Sequence, residues 1–132
     1  MGDNAAMAET IATRVLVVED EDAVRLLLRT MLERGGYRVL DAPNPQRAIE
    51  LFENATNVFD LLVTDVIMPG STGSQLFERL VQQRPELKVL YVSGYTDDAI
   101  VHQGQLKPGV DFLQKPFTTD ALHRRVRAVL DR

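Results

Sequence analysis

Short apolar runs alternate with amphipathic helical segments along almost the whole chain. The runs have the length and valine content of strands buried on both faces, and the segments between them repeat apolar residues every three or four positions, as helices do. Each crossover between parallel strands is right-handed and returns a helix over the sheet. The sequence therefore predicts an α/β domain with a five-stranded parallel sheet covered by five helices on both faces.

The first helix has the clearest signals. Asp22 is expected to cap its start and Gly35-Gly36 to end it. The face that it is expected to bury carries Val24, Leu27, Leu28, Met31 and Leu32.

The remaining elements follow from similar patterns. Between the last two strands only residues 97–104 can be helical, so the fourth helix is predicted to be short or irregular. The predicted strands are residues 14–18, 37–42, 61–63, 88–92 and 110–114. The other predicted helix starts are Asn44-Pro45, Thr72 with Gln75 three positions later, and Thr118 or Thr119.

Size and charge restrict the classes of function. A chain of 132 residues fits one domain, predicted for residues 14–132 after a flexible tail of residues 1–13. The net charge of −4 would repel nucleic-acid phosphates, so no nucleic-acid partner is expected. The chain has no cysteine and no apolar run long enough to span a bilayer, so we expect a cytoplasmic protein without direct membrane contact.

Polar side chains follow four of the predicted strands. They are Glu19-Asp20, Asp65, Ser93 and Lys115. Because ligands of open α/β sheets bind beyond the carboxyl ends of the strands, we expect these groups to converge there. Carboxylates that crowd together destabilise the fold unless a cation joins them, and oxygen ligands without His or Cys suit Mg²⁺. The sequence predicts a magnesium site.

A metal-bound carboxylate that faces a lysine and a hydroxyl indicates phosphoryl transfer, which needs mainly positioning and charge balance. Asp65 is predicted to attack the phosphorus. We expect Mg²⁺ to bind Asp20, Asp65 and the backbone carbonyl of Ile67, with Glu19 acting through a metal-bound water. Lys115 and Ser93 are expected to hold the remaining phosphoryl oxygens.

Four sequence motifs contain the predicted site residues. They are Val17-Val18-Glu19-Asp20-Glu21, Asp60-Leu61-Leu62-Val63-Thr64-Asp65-Val66-Ile67-Met68-Pro69-Gly70, Val92-Ser93-Gly94-Tyr95 and Phe112-Leu113-Gln114-Lys115-Pro116-Phe117. Together they resemble the receiver domain of two-component response regulators, over residues 14–130. Any one of them would be a weak signal, but four in this order and at these spacings are specific.

The resemblance implies a flavodoxin-like fold with strand order 2-1-3-4-5. It makes Asp65 the phosphoacceptor, Ser93 the switch hydroxyl and Phe112 the switch aromatic, and it implies a cis bond at Lys115-Pro116. The implied partner is a histidine kinase or a histidine phosphotransfer domain, which donates from a phosphohistidine. The implied protein is a signalling switch that only accepts and slowly loses the phosphoryl group, and we expect it to be a monomer. Residues 93–98 and 112–117 are most similar to receivers of hybrid histidine kinases.

Other functions remain open at this point. A degenerate receiver that only docks would keep the fold without phosphotransfer. A haloacid-dehalogenase-type phosphatase needs a second Asp where Ile67 stands, and a nucleotide or flavin binder needs a Gly-rich loop where Glu19-Asp20-Glu21 stands. Residues 103–110 depart from the family pattern, which leaves the output face open. His123 is expected to be exposed and incidental.

Overall fold

A computed structural model describes residues 12–54, 56, 58–94 and 109–132 of the chain. Within them, strands and helices alternate as predicted, and a short hairpin follows the third strand. The elements are β1 (Arg14–Val18), α1 (Asp22–Arg34), β2 (Arg38–Ala42), α2 (Pro45–Glu53), β3 (Leu61–Asp65), β4 (Ile67–Met68), β5 (Ser71–Thr72), α3 (Gly73–Gln83), β6 (Lys88–Ser93), β7 (Phe112–Gln114) and α4 (Thr119–Leu130).

Five of the strands form one parallel sheet in the order β2-β1-β3-β6-β7. Since β4 and β5 pair only with each other, this order is the implied 2-1-3-4-5, and the prediction of the fold is confirmed. The predicted fourth helix falls at residues 97–104, outside the described residues. The predicted tail lies mostly outside them too, so the boundary between tail and domain stays a prediction.

The sheet separates two apolar layers. Alternate residues of β1 point to opposite faces, so Val15 and Val17 pack with α1 and α4, while Leu16 and Val18 pack with α2 and α3. Both layers are closed to solvent along the three central strands. The described helices include none that is long and apolar enough to cross a membrane.

Side chains cap three of the helices at the predicted positions. Asn44 Oδ1 accepts the Arg47 N–H at 2.8 Å, and Thr118 Oγ1 accepts the Ala121 N–H at 3.1 Å. Thr72 and Gln75 form the reciprocal capping box. The prediction for α1 was wrong, because Asp22 is the first helical residue and the preceding Glu21 makes no capping hydrogen bond with its side chain.

The buried face of α1 is narrower than predicted. Leu28 and Leu32 are buried, but Leu27 is 48% exposed. Neighbouring residues lie about 100° apart around a helix. Leu28 faces the core, so Leu27 lies at the side of the packed stripe. The periodic pattern correctly predicted the helix but overestimated the width of its packed stripe.

His123 is not the exposed residue that the sequence predicted. Its side chain is half-buried on α4, and Nε2 lies 2.7 Å from the carbonyl oxygen of Met31 in the last turn of α1. The ring also abuts Gly35, where an added Cβ would lie 2.9 Å from Nε2. His123 therefore packs α4 against the end of α1.

Two adjacent leucines test the packing of α1. We expect Leu28→Ala to lower the free energy of unfolding by about 2–5 kcal/mol, because it empties a fully enclosed position. Leu27→Ala removes the same atoms from a half-exposed position and is expected to cost under about 1 kcal/mol. Urea unfolding followed by circular dichroism measures both values, and equal losses would contradict the orientation of the helix.

Candidate functional site

The predicted site residues follow neighbouring strands and meet at one edge of the sheet. Asp65 and Ser93 end β3 and β6, and the Lys115 N–H donates to the Ser93 carbonyl oxygen at 2.7 Å. Together these groups border an open cavity of about 470 Å³. The residues that line it are Asp20, Glu21, Asp65, Val66, Ile67, Val92, Ser93, Gly94 and Lys115.

Lys115 joins two buried carboxylates at the base of this cavity. Its Nζ lies 2.7 Å from Glu19 Oε1 and 2.9 Å from Asp65 Oδ1. Glu19 is 0% exposed and Asp65 is 6% exposed. Carboxylates are buried at this depth only when they are paired and hydrogen-bonded, so the lysine is what allows both acids to sit under the cavity.

The pKa values of the three groups move in a linked way. Burial raises the pKa of Asp65 to about 8, and the neighbouring Glu19 carboxylate adds to the rise while Lys115 opposes it. Burial acts to raise the pKa of Glu19 too, but its interactions with Asp65, Lys115 and the Glu21 N–H bring it below its usual value. Burial opposes the charge on Lys115, yet its pKa is raised by hydrogen bonds to Glu19 and Asp65.

Three carboxylates form a group with the chemistry of a magnesium site. Ligand oxygens of Glu19, Asp20 and Asp65 lie within 4.8 Å of one another. Asp65 Oδ2 is buried and has no hydrogen-bond partner, an arrangement that costs free energy until a cation or donor satisfies the oxygen. All the donors are hard oxygens, so the residues present fit Mg²⁺. Ile67 borders the same cavity and is 46% exposed, but its carbonyl remains a predicted ligand.

A glycine that the sequence analysis missed sets the backbone beside Asp65. Gly73, the first residue of α3, donates its N–H to the Val66 carbonyl at 2.7 Å. A Cβ at this position would lie 2.2 Å from the backbone oxygen of Asp65, so only glycine allows this approach. The available signal was a glycine directly after the capping Thr72, where helix formation alone favours other residues.

Phe112 is not among the residues that line the cavity. It is 8% exposed and packs with Val66 and Tyr91 in a small apolar cluster. Ser93 is 6% exposed at the cavity edge. The site residues thus fall into a charged group around Lys115 and an apolar group that reaches it through Val66. The Lys115-Pro116 peptide bond is cis, as the resemblance implies.

Sequence comparison decides the family. The family model for the response regulator receiver domain matches residues 15–127. The chain belongs to this receiver family. The receiver is 36% identical over 118 residues to the sensor kinase CckA of Brucella abortus (strain 2308), a match covering 89% of this chain and 12% of that protein. It is 37% identical to the KDP operon transcriptional regulatory protein KdpE of Escherichia coli (strain K12), covering 91% and 52%.

Solved structures show the same fold. The receiver domain of the hybrid histidine kinase CckA matches with a TM-score of 0.73 and 37% identity, over 89% of this chain and 98% of that one. A response regulator receiver protein from Sinorhizobium medicae WSM419 matches with a TM-score of 0.79 and 25% identity, over 92% and 97%. The receiver thus covers nearly all of these single domains but only part of its longer curated relatives.

The raised pKa of Asp65 predicts a pH-dependent stability. The pKa of Asp65 is 3.8 as its ordinary value in the unfolded chain and about 8 in the fold. Between these values only the folded state holds the proton, so the free energy of unfolding falls as pH rises through the interval. Asp65→Asn has no such titration, so without divalent metal the variant should gain stability over wild type from pH 5.5 to 8, with the gap levelling off above.

Urea unfolding in EDTA across this pH range measures the gap. The exposed Asp120→Asn on α4 is the control, and its difference from wild type should not vary between pH 5.5 and 9. A gap for Asp65→Asn that is equally flat would contradict the raised pKa. Glu19 does not interfere, because its pKa lies below its ordinary value and its effect falls in a more acidic interval.

Proposed function

We propose that this receiver accepts a phosphoryl group on Asp65, with Mg²⁺, and changes conformation in response. The observation that supports the proposal most strongly is the state of the Asp65 carboxylate. One oxygen is held by Lys115 at 2.9 Å, and the other is buried without a partner beside Glu19 and Asp20. A carboxylate so arranged lacks a second cationic partner. A metal ion would provide that partner, and phosphoryl transfer requires such an ion to balance the charge of the phosphoryl oxygens.

The proposed donor is the phosphohistidine of a histidine kinase or of a histidine phosphotransfer domain. In the transfer, a carboxylate oxygen of Asp65 forms a bond to phosphorus while the P–N bond of the phosphohistidine breaks. The departing imidazole keeps the electron pair of that bond and takes up a proton. The product is an acyl phosphate on Asp65. The donor class fits the similarity to a sensor kinase receiver.

The chain's own groups supply positioning and charge balance. Lys115 pairs with Asp65 before transfer and can follow the charge onto a phosphoryl oxygen. Asp20 is exposed at the cavity while Glu19 is buried, so Asp20 is the proposed direct metal ligand together with Asp65 and the Ile67 carbonyl, and Glu19 acts through water. Bound Mg²⁺ would supply charge neutralisation for the phosphoryl oxygens.

Ser93 and Phe112 are the proposed switch. Ser93 borders the cavity that the phosphoryl group would enter, and its hydroxyl is the proposed donor to it. Phe112 shares the apolar cluster with Val66, the residue next to Asp65, so a shift at the phosphoacceptor can reach the aromatic ring through one side chain. The switch is a shift in population between two packings.

The remaining parts of the proposal concern the setting of the receiver. It acts in the cytoplasm as a monomeric signalling domain, with slow autodephosphorylation as its only turnover. Its net charge of −4 disfavours contact with nucleic acid. The phosphatase alternative loses support at Ile67, because an apolar side chain there provides no general acid for turnover.

Labelling tests the phosphoacceptor. Acetyl phosphate with Mg²⁺ should add one phosphoryl group to the wild type, detected by intact mass, and EDTA should abolish the addition. Asp65→Asn should show no addition, because an amide is a far weaker nucleophile than a carboxylate. The control Asp120→Asn should label as the wild type does. Undiminished labelling of Asp65→Asn would contradict the proposed acceptor.

Beryllofluoride, which mimics a bound phosphoryl group, tests the switch. With Mg²⁺ it should shift the amide NMR signals of Ser93 and Phe112 in addition to those next to Asp65, because Ser93 borders the cavity and the apolar cluster connects Phe112 to Val66. Asp65→Asn should abolish all of these shifts. Shifts confined to the residues around Asp65 and Lys115 would favour a docking role without a switch.

A further inference from the structure

Arg25, on the first turn of α1, contacts the acidic loop of residues 19–21 and has no role in the site described above. Its side chain is 18% exposed. Nη1 donates to the carbonyl oxygen of Glu19 at 2.9 Å, and Nη2 lies 2.7 Å from Asp22 Oδ1. Nε lies 3.5 Å from Asp41 Oδ2, at the end of β2. One guanidinium group therefore touches the start of the acidic loop at Glu19, the first helical residue after it and the neighbouring strand β2.

The acidic loop has few other restraints. The side chain of Glu21 makes no hydrogen bond that caps α1. Backbone restraint comes from the Glu19 N–H, which donates to the Ala42 carbonyl at 3.1 Å, and from the Glu21 N–H, which donates to Glu19 Oε2 at 3.1 Å. The Glu21 carbonyl also accepts the backbone N–H of Arg25 at 2.9 Å, a bond that does not depend on the Arg25 side chain. Of the two bonds donated by the loop, the second depends on a carboxylate that also binds Lys115. Arg25 adds a charge-assisted hydrogen bond to the backbone of the loop, at a helix start that no capping side chain holds.

Arg25 also pairs with Asp41, an acid that is not one of the three converging carboxylates. Asp41 forms an ion pair with Arg25 and accepts a hydrogen bond from Arg29 Nη1 at 3.0 Å. Asp41 lies one residue before Ala42, whose carbonyl accepts the Glu19 N–H, but it is absent from the group of three carboxylates whose oxygens converge. The two arginines hold the charge of Asp41 on the α1 side of the loop.

We propose that Arg25 is a positioning residue for the metal site. It fixes the acidic loop so that the Asp20 and Glu19 carboxylates converge with Asp65. The inference rests on the proposed magnesium site and deepens it. Groups that orient metal ligands commonly change metal affinity by about tenfold or more when they are removed.

The direction of the change in Mg²⁺ affinity on loss of Arg25 distinguishes a positioning role from an effect of charge alone. A cation next to a metal site repels the metal, so loss of Arg25 would tighten Mg²⁺ binding if charge alone mattered. Loss of a positioning group weakens binding instead. Arg29 provides a matched control, because it carries the same charge and binds the same Asp41, but the hydrogen bonds of its side chain reach Glu33 and Asp41 and not the acidic loop.

Calorimetric titration with Mg²⁺ should compare Arg25→Gln with Arg29→Gln. We expect Arg25→Gln to raise the dissociation constant about tenfold and Arg29→Gln to change it by no more than about twofold. In the metal-free protein, amide exchange at Glu21 should be faster in Arg25→Gln than in Arg29→Gln, a readout that needs no metal. An unchanged or lower dissociation constant in Arg25→Gln would overturn the proposal.

Two further outcomes are decisive. If Arg25→Gln does not fold, Arg25→Lys replaces it against Arg29→Lys; weakening found only in Arg25→Lys supports positioning, and equal effects overturn it. A wild type that binds no Mg²⁺ would overturn the proposed metal site and this inference with it. A wild type that binds Mg²⁺ while Arg25→Gln binds as well would overturn this inference alone.

Discussion

The contact of Lys115 with two buried carboxylates is the interaction around which the site is built. Glu19 and Asp65 come from different strands and are both nearly inaccessible to water. Without a counter-charge, burial would protonate them or push the strand ends apart. The ammonium group lies within 3 Å of an oxygen of each acid. When Asp65 is ionised, two carboxylates and one ammonium, with Asp20 at the rim, leave a net negative charge that one more cation would neutralise.

This electrostatic arrangement needs a precise backbone. Parallel pairing of β1 with β3 and of β3 with β6 brings their carboxyl ends to one edge. Gly73 then lets the start of α3 approach the Asp65 backbone more closely than any side chain would allow. Strand pairing brings the site residues to the same end of the sheet. The contact of Gly73 with the Asp65 backbone and the Ser93–Lys115 backbone hydrogen bond then set their local positions.

Much of the fold was predictable because its signals are local. The caps at Asn44 and Thr72 depend on residues three positions away, and these predictions were confirmed. Predictions failed where a distant segment decides the environment. Leu27 has the right spacing for the core, but α1 meets the sheet along a narrower stripe. His123 looked like a surface residue, but it contacts the end of α1, 92 positions earlier in the chain.

The candidate site divides in the same way. The sequence by itself determined that acids, a hydroxyl and a lysine follow four of the five strands of the sheet, since the apolar runs show where each strand ends. Only the tertiary structure decided that Glu19 is buried against Lys115 while Asp20 remains exposed, and that Arg25 reaches back to the loop that carries both acids. Glu19 and Asp20 follow the end of β1, and which of two adjacent side chains is enclosed there depends on segments that are far apart in the chain, such as the one that carries Lys115.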